Sequence, residues 1–217
     1  MKLLVATTNA GKIIEIEHEL AGAGLMGDGL QLRGLKDLPA GWTDVVEDRP
    51  TFIGNATKKA RHFARLSGWL TLADDSGLCV DALGGAPGVL SARYAGEPCN
   101  NAANNAKLLQ EMAAVPDEKR SAHFACAMAL AMPGPAATGP VDLAVMVDTV
   151  QGMILHAPRG TNGFGYDPLF FFPEFNKTTA ELDMMTKGRI SHRGKALRRM
   201  IGWIEDHWDL LGGPEAR

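Results

Sequence analysis

The amino-acid sequence predicts an α/β or α+β chain folded around one mixed β-sheet. Three observations carry that prediction. Short apolar runs of strand type alternate with segments of helical period in the first third of the chain. Two long strand-like runs, Ser121–Met132 and Val141–Leu155, then lie next to each other around the Pro133–Pro140 turn. A last helical segment, Ser191–Leu211, closes the pattern. Mixed strands and helices in this order need a shared sheet to bury their apolar faces.

Element by element, Lys2–Ala6 reads as a short strand and Thr7–Lys12 as a polar turn. Ile13–Ala21 reads as a helix because Ile13, Ile16 and Leu20 share a face. Gly22–Gly29 follows as a loop or helix end, and Leu30–Leu35 as a second strand. Thr51–Ser67 is the next helix, with Phe52, Ala56, Ala60 and Phe63 inward. Leu70–Ala73 is a buried strand that ends in Asp74-Asp75-Ser76-Gly77. Gly84–Gly88 is a turn, Asn101–Ala114 a helix and Phe170–Phe172 a short strand. One domain is expected over residues 1–211, followed by a flexible tail at 212–217.

Composition narrows the function classes. The 217 residues are long enough to bury a sizeable core. The formal net charge of −3 provides no global basic field for a nucleic-acid backbone, although a small anion needs only a local cluster of cations. The three cysteines, Cys79, Cys99 and Cys126, have neither the pairing nor the spacing of a disulfide framework or zinc site, and they read as small buried hydrophobes. The opening residues are too short for a signal peptide, and no apolar run approaches the roughly 18 residues of a membrane span. A cytoplasmic protein with no membrane partner is expected.

Five short segments carry candidate chemistry. Thr7-Thr8-Asn9-Ala10-Gly11-Lys12 leaves a strand and opens a helix, where free N–H groups and the helix dipole attract anions. It lacks the Walker pattern and reads either as a phosphate cradle or as an ordinary capped helix start. Asp74 and Asp75 at a strand end are either compensated by a cation such as Mg²⁺ or held in a solvated turn. Glu47 and Asp48 stand just before the second helix, either completing a metal shell or serving as N-terminal charges. Thr51, Asn55 and Lys59 are four apart and share one stripe of that helix. Lys59 there is either a phosphate contact or a surface lysine. In Gly163-Phe164-Gly165-Tyr166-Asp167-Pro168, two aromatics among small residues either sandwich a flat base or pack in the core around a tight turn. Lys187 and Ser191-His192-Arg193-Gly194 provide donors suited to a carbonyl or phosphate oxygen, with Ser191 as an N-cap; otherwise they are a cap with solvated cations.

The order of these segments is more telling than any one of them. Thr8-Asn9-x-x-Lys12, Thr51-Phe52-x-x-Asn55-Ala56-x-x-Lys59-Ala60, Ala73–Leu78, Leu83–Gly88, Ser91–Tyr94, Gly163–Pro168 and Ser191–Gly194 together resemble the inosine triphosphate pyrophosphatase family, also called XTP/dITP diphosphatases. The resemblance runs from about Lys2 to Ile204. It departs locally at Thr8 and Asn162, where glycine is frequent in the family.

The resemblance implies an elongated α/β fold, a mixed sheet flanked by helices, and two lobes with a central active-site cleft. It implies a homodimer and a Mg²⁺ cofactor. The expected reaction is hydrolysis of ITP, dITP or XTP to monophosphate and pyrophosphate. By the same resemblance, Thr7, Thr8, Asn9, Ala10, Gly11 and Lys12 cradle the triphosphate, with Lys59 and Ser76 as further phosphate-side contacts. Asp75 is the metal-binding proton acceptor with Asp74 beside it, and Glu47 is the second metal carboxylate. Phe164, Gly165, Tyr166 and Asp167 hold the base, and Lys187, His192 and Arg193 complete the nucleotide contacts. A pyrophosphatase for pyrimidine or modified nucleotides, and a non-catalytic nucleotide sensor, are the competing readings. The Phe164–Asp167 and Ser191–Gly194 segments argue against the first, and Asp74, Asp75 and Lys12 against the second.

Overall fold

A computed structural model of the chain describes residues 1–26 and 29–212. The tail expected at 212–217 lies, apart from Gly212, outside the described residues, as do two positions of the loop expected at Gly22–Gly29. Seven strands form one sheet in the order β2-β1-β3-β4-β5-β6-β7. These are β1 Lys2–Val5, β2 Gln31–Gly34, β3 Leu70–Val80, β4 Ser121–Met132, β5 Val141–Ile154, β6 Phe170–Phe172 and β7 Lys177–Thr178. β1 runs parallel to both β2 and β3, whereas β6 runs antiparallel to β5 and β7. The sheet is therefore mixed. Among the described residues the α-helices are α1 Ala10–Gly22, α2 Phe52–Ser67, α3 Asn101–Glu111, α4 Met184–Ile190 and α5 His192–Asp206. This is the α/β fold.

The chain divides into two compact units. The first comprises Met1–Asp75, Ala127–Val147 and the chain from Gly194 onward. Its core is rich in alanine. Ala56, Ala60 and Ala64 repeat every four residues along α2, and Ala127, Ala129 and Ala131 repeat every two along β4. Phe63 fills the centre of that cluster with Leu4, Leu35 and Leu38 around it. Each end of α2 has a local cause. The Thr51 hydroxyl accepts from Gly54 N at 3.1 Å, and Gly68 ends the helix in the left-handed region at φ +69°.

The second unit comprises Ser76–Cys126 and Asp148–Arg193. Its core is aromatic and aliphatic: Phe124, Tyr166, Phe170 and Phe172 pack with Leu78, Leu108 and Ile154. Arg120, 2% exposed, clamps this unit from inside. Its guanidinium donates to the carbonyls of Met112 and Ile154, each at 2.7 Å, and of Val115 and Leu155, each at 3.1 Å. Its positive charge is thus stabilised by carbonyl dipoles.

Three expectations change. β3 does not stop before the acids but runs on to Val80, so Asp74 and Asp75 lie in mid-strand. The helix expected over Ser191–Leu211 spans His192–Asp206, and a short helix not expected from the sequence, α4, precedes it. Ser191, the C-cap of α4 with an extended backbone, also stands directly before α5, the N-cap position expected of it. The cysteines are free thiols, but only Cys126 is buried; Cys79 is half-buried and Cys99 exposed.

Candidate functional site

The first unit gathers three carboxylates and two lysines around the middle of β3. Neighbouring strand residues direct their side chains to opposite faces, and the two adjacent acids accordingly meet different partners. Asp74, 2% exposed, pairs through Oδ2 with Lys12 Nζ at 2.9 Å. Asp75, 6% exposed, accepts at Oδ2 from Asn55 Nδ2 at 3.0 Å. Lys59 is buried, not on the surface. Its ammonium pairs with the Glu47 carboxylate and donates to the Asp74 carbonyl at 3.4 Å.

This arrangement sets the protonation of the site. Burial pushes the Asp75 carboxyl up to about 6, and the Glu47 charge adds to that; the Asn55 hydrogen bond, Lys12 and Lys59 oppose it. Burial pulls Lys59 downward, yet Glu47, the hydrogen bond to it, Asp74 and Asp75 together hold the ammonium above its ordinary value. The chain's own lysines thus compensate much of the charge that the sequence alone assigned to Mg²⁺.

The polar loop before α1 is shorter than expected, because the helix already starts at Ala10. Asn9 is its N-cap and accepts from Lys12 N at 3.2 Å, while Thr7 Oγ1 accepts from Asn9 N at 3.2 Å. The first N–H groups of a helix have no intrahelical acceptor. With that of Lys12 capped, the amides of Ala10 and Gly11 remain as donors at an accessible helix start. Thr8 is exposed beside them.

The second unit builds a different cluster. Lys187, 8% exposed on α4, and Asp167, 5% exposed, form an ion pair at 2.8 Å. The same Asp167 Oδ2 accepts from Phe164 N at 2.9 Å and so closes the Gly163–Pro168 turn. Gly163 has φ +78°, and a Cβ there would lie 2.0 Å from Asp167 Oδ2, so the turn admits only glycine. Lys187 Nζ lies 4.9 Å and Arg193 Cζ 5.5 Å from the centroid of the half-buried Phe164 ring. Arg193, itself 3% exposed, donates to Ser76 Oγ at 2.8 Å. His192 stacks on Phe124 at 4.8 Å with the planes 11° apart.

Two aromatics were expected to flank a base, but Tyr166 belongs to the core. It is 4% exposed and its hydroxyl donates to the Ser91 carbonyl at 2.9 Å, because the Gly165 turn directs it inward. Phe164 is left as the accessible ring. Gly165 is held through its carbonyl by Asn105 Nδ2 at 3.0 Å. Asn55 and Asn105 were given no role from sequence. For Asn55 the signal was present, since it lies on the same stripe as Thr51 and Lys59. Nothing local marks Asn105.

The fold and these clusters define a class: an α/β protein with an anion-attracting helix start, a buried acid–lysine cluster, and two cationic side chains beside an aromatic ring. The particular family follows from comparison. The Ham1 family matches residues 3–203, and the chain belongs to it. It is 49% identical to a dITP/XTP pyrophosphatase of Desulforamulus reducens, over 93% of this chain and 94% of that one. It is 45% identical to a dITP/XTP pyrophosphatase of Geobacillus kaustophilus, over 100% and 98% of the two chains. Among solved structures it resembles the Ham1 protein of Staphylococcus aureus with TM-score 0.79 and 35% identity, covering 95% of this chain and all of that one. It also resembles a nucleoside-triphosphatase, or dITP/XTP pyrophosphatase, of Mycobacterium abscessus, with TM-score 0.71 and 41% identity over 92% and 97% of the chains.

Proposed function

We propose that this chain hydrolyses non-standard purine nucleoside triphosphates (ITP, dITP and XTP) to the monophosphate and pyrophosphate. The observation that carries the chemistry is Asp75: a buried carboxyl, hydrogen-bonded to one amide, pushed by burial and the Glu47 charge up to about 6. A base that titrates near neutrality is suited to taking a proton from water. Asp74 is the weaker candidate, because its Oδ2 is already engaged by Lys12 at 2.9 Å.

In this reading water attacks the α-phosphorus and Asp75 receives its proton. The new bond is water oxygen to phosphorus, and the bond between the α-phosphorus and the bridging oxygen breaks. Pyrophosphate departs with that oxygen, its charge met by Lys12, Lys59 and the Ala10 and Gly11 amides, with Thr7, Thr8 and Asn9 shaping the cradle. Phe164 stacks on the base, and the Asp167–Lys187 pair keeps the Gly163–Gly165 turn in place. Arg193, oriented by Ser76, and His192 donate toward a carbonyl at position 6 of the purine. Adenine carries an amino group there, so those donors are left unpaired and ATP is rejected.

The cofactor of this reading is Mg²⁺. Among the described residues no three His, Cys, Asp or Glu side chains are grouped to hold a metal. The donor set still suits Mg²⁺, which binds through one or two carboxylates and completes its shell with waters and phosphates. Glu47 and Asp75 are those carboxylates, close enough for the Glu47 charge to raise the Asp75 pKa. When bound, the ion neutralises phosphate charge and acidifies water. The resemblance further suggests a homodimer working in the cytoplasm. No helix among the described residues is long and apolar enough to cross a membrane.

The test is product analysis with ITP, XTP, dITP, GTP, ATP and dTTP in the presence of Mg²⁺. Monophosphate plus pyrophosphate from ITP and XTP, with little from ATP, is the expected result. Orthophosphate plus diphosphate would overturn attack at the α-phosphorus.

A further inference from the structure

We propose that Asn55 is a positioning residue that selects which oxygen of Asp75 faces the reaction and ties the Glu47 segment to it. The inference rests on the reading of Asp75 as the reacting carboxylate. Asn55 is 1% exposed and its amide is used at both ends. Its Oδ1 accepts from Arg49 N at 2.8 Å, and its Nδ2 donates to Asp75 Oδ2 at 3.0 Å. A backbone N–H only donates, so the amide has one workable orientation: oxygen toward Arg49, nitrogen toward the carboxylate. Among the described residues this is the only hydrogen bond to the Asp75 carboxylate. Oδ2 is therefore committed, and Oδ1 is the oxygen left for a water or a cation.

The second bond matters equally. Arg49 lies two residues after Glu47, and the 41–50 stretch has no helix or strand of its own to hold it. Its hydrogen bonds and ion pairs to α2 include the His62 ring nitrogen Nε2 to the Thr43 carbonyl at 3.1 Å, Lys58 Nζ to the Val46 carbonyl at 2.8 Å and to Asp48 at 2.7 Å, Lys59 to Glu47, and Asn55 to the Arg49 amide. Of these, only Asn55 also grips Asp75. One rigid amide on one helix turn thus sets the spacing between the two carboxylates proposed to share the metal. Thr51, four residues earlier, caps the helix that carries it, and Lys59, four later, neutralises Glu47.

The experiment is a mutant cycle with ITP as substrate, using Asn55→Ala and Asn55→Asp in the native chain and in the Asp75→Asn background. Asn55→Asp keeps the acceptor for Arg49 and the side-chain shape while removing the donor to Asp75, so it tests the proposal should Asn55→Ala fail to fold. Outer partners of this kind typically support activity or metal affinity by about 10- to 100-fold. Each variant should lower kcat within that range, with KM moving less than about threefold. In the Asp75→Asn background the further loss should shrink below about twofold, because no carboxylate remains to be oriented. Calorimetry gives a readout independent of turnover: Mn²⁺ affinity, measured with the α,β-imido analogue of ITP bound, should fall by about tenfold. Equal losses in both backgrounds, or a near-native kcat in Asn55→Asp, would overturn the proposal. Near-native turnover of Asp75→Asn alone would overturn the reading of Asp75 beneath it. A slow Asp75→Asn with native Asn55 variants would remove this inference and leave that reading standing.

Discussion

The acid cluster of the first unit and the Asp167 cluster of the second both bury carboxylates beside lysines, yet they are built to opposite ends. Asp167 and Lys187 pair at 2.8 Å, and the same carboxylate oxygen accepts the Phe164 amide. That pair fixes a turn. Around β3, Glu47, Asp74 and Asp75 lie with Lys12 and Lys59, and burial raises Asp75 to about 6. A buried pair resists change, because losing either partner strands the other charge. A buried carboxyl that its surroundings push upward is under electrostatic load without a ligand, and a cation or a proton relieves it. The first arrangement suits recognition of a fixed shape, and the second suits chemistry.

Removing Asp75 should have the largest effect. Asp75→Asn should lower kcat for ITP by about 10³-fold, within the range of general-base loss, while affinity for the imido analogue changes by only a few fold. Rapid-quench turnover together with calorimetry checks this, and a comparable loss in binding would erase the distinction between the two clusters.

The Asp167–Lys187 pair should fail as structure. Lys187→Met leaves Asp167 buried without its cation and should destabilise the protein by about 3 kcal/mol, measured by urea unfolding. A variant as stable as the native chain would show that the Asp167 pair does not hold the turn.

The same comparison has a pH signature. A carboxyl whose pKa is raised on folding contributes stability that is fully present below its unfolded value, 3.8, and lost as pH rises through about 6. Metal-free Asp75→Asn should therefore gain on the native chain between pH 4 and pH 8, by up to about 2–3 kcal/mol. Melting curves across that range check the slope, and a difference that does not vary with pH would mean the cluster carries no such load.

The smallest effect sharpens the second cluster. Arg193→Ala should narrow the ratio of kcat/KM for ITP over ATP by about tenfold, the worth of one or two hydrogen bonds to a carbonyl. An unchanged ratio would move base selection away from Arg193.

Much of this was legible in the linear chain because it depends on neighbours in sequence. The helix over Thr51–Ser67 and the glycine turn before Asp167 follow from residue types a few positions apart, whereas the start of α1 was read three residues late. The Thr51, Asn55 and Lys59 stripe was visible for the same reason, although its meaning was not. The length of β3 was misread because adjacent acids look like a strand end. They stay in the strand only because Lys12 and Asn55 reach them from other elements.

The sequence by itself determined α1, α2, α3 and α5 in outline, the tight turn at Gly163, the mixed α/β character and the set of residue types gathered for chemistry, since each follows from local sterics and periodicity. Only the tertiary structure decided that Lys59 is buried against Glu47, that Tyr166 serves the core while Phe164 stays accessible, and that Asn55 holds Asp75. Those outcomes depend on which side chains meet across 12 to 75 residues of chain and on how far water is excluded there, and neither is encoded in any local stretch.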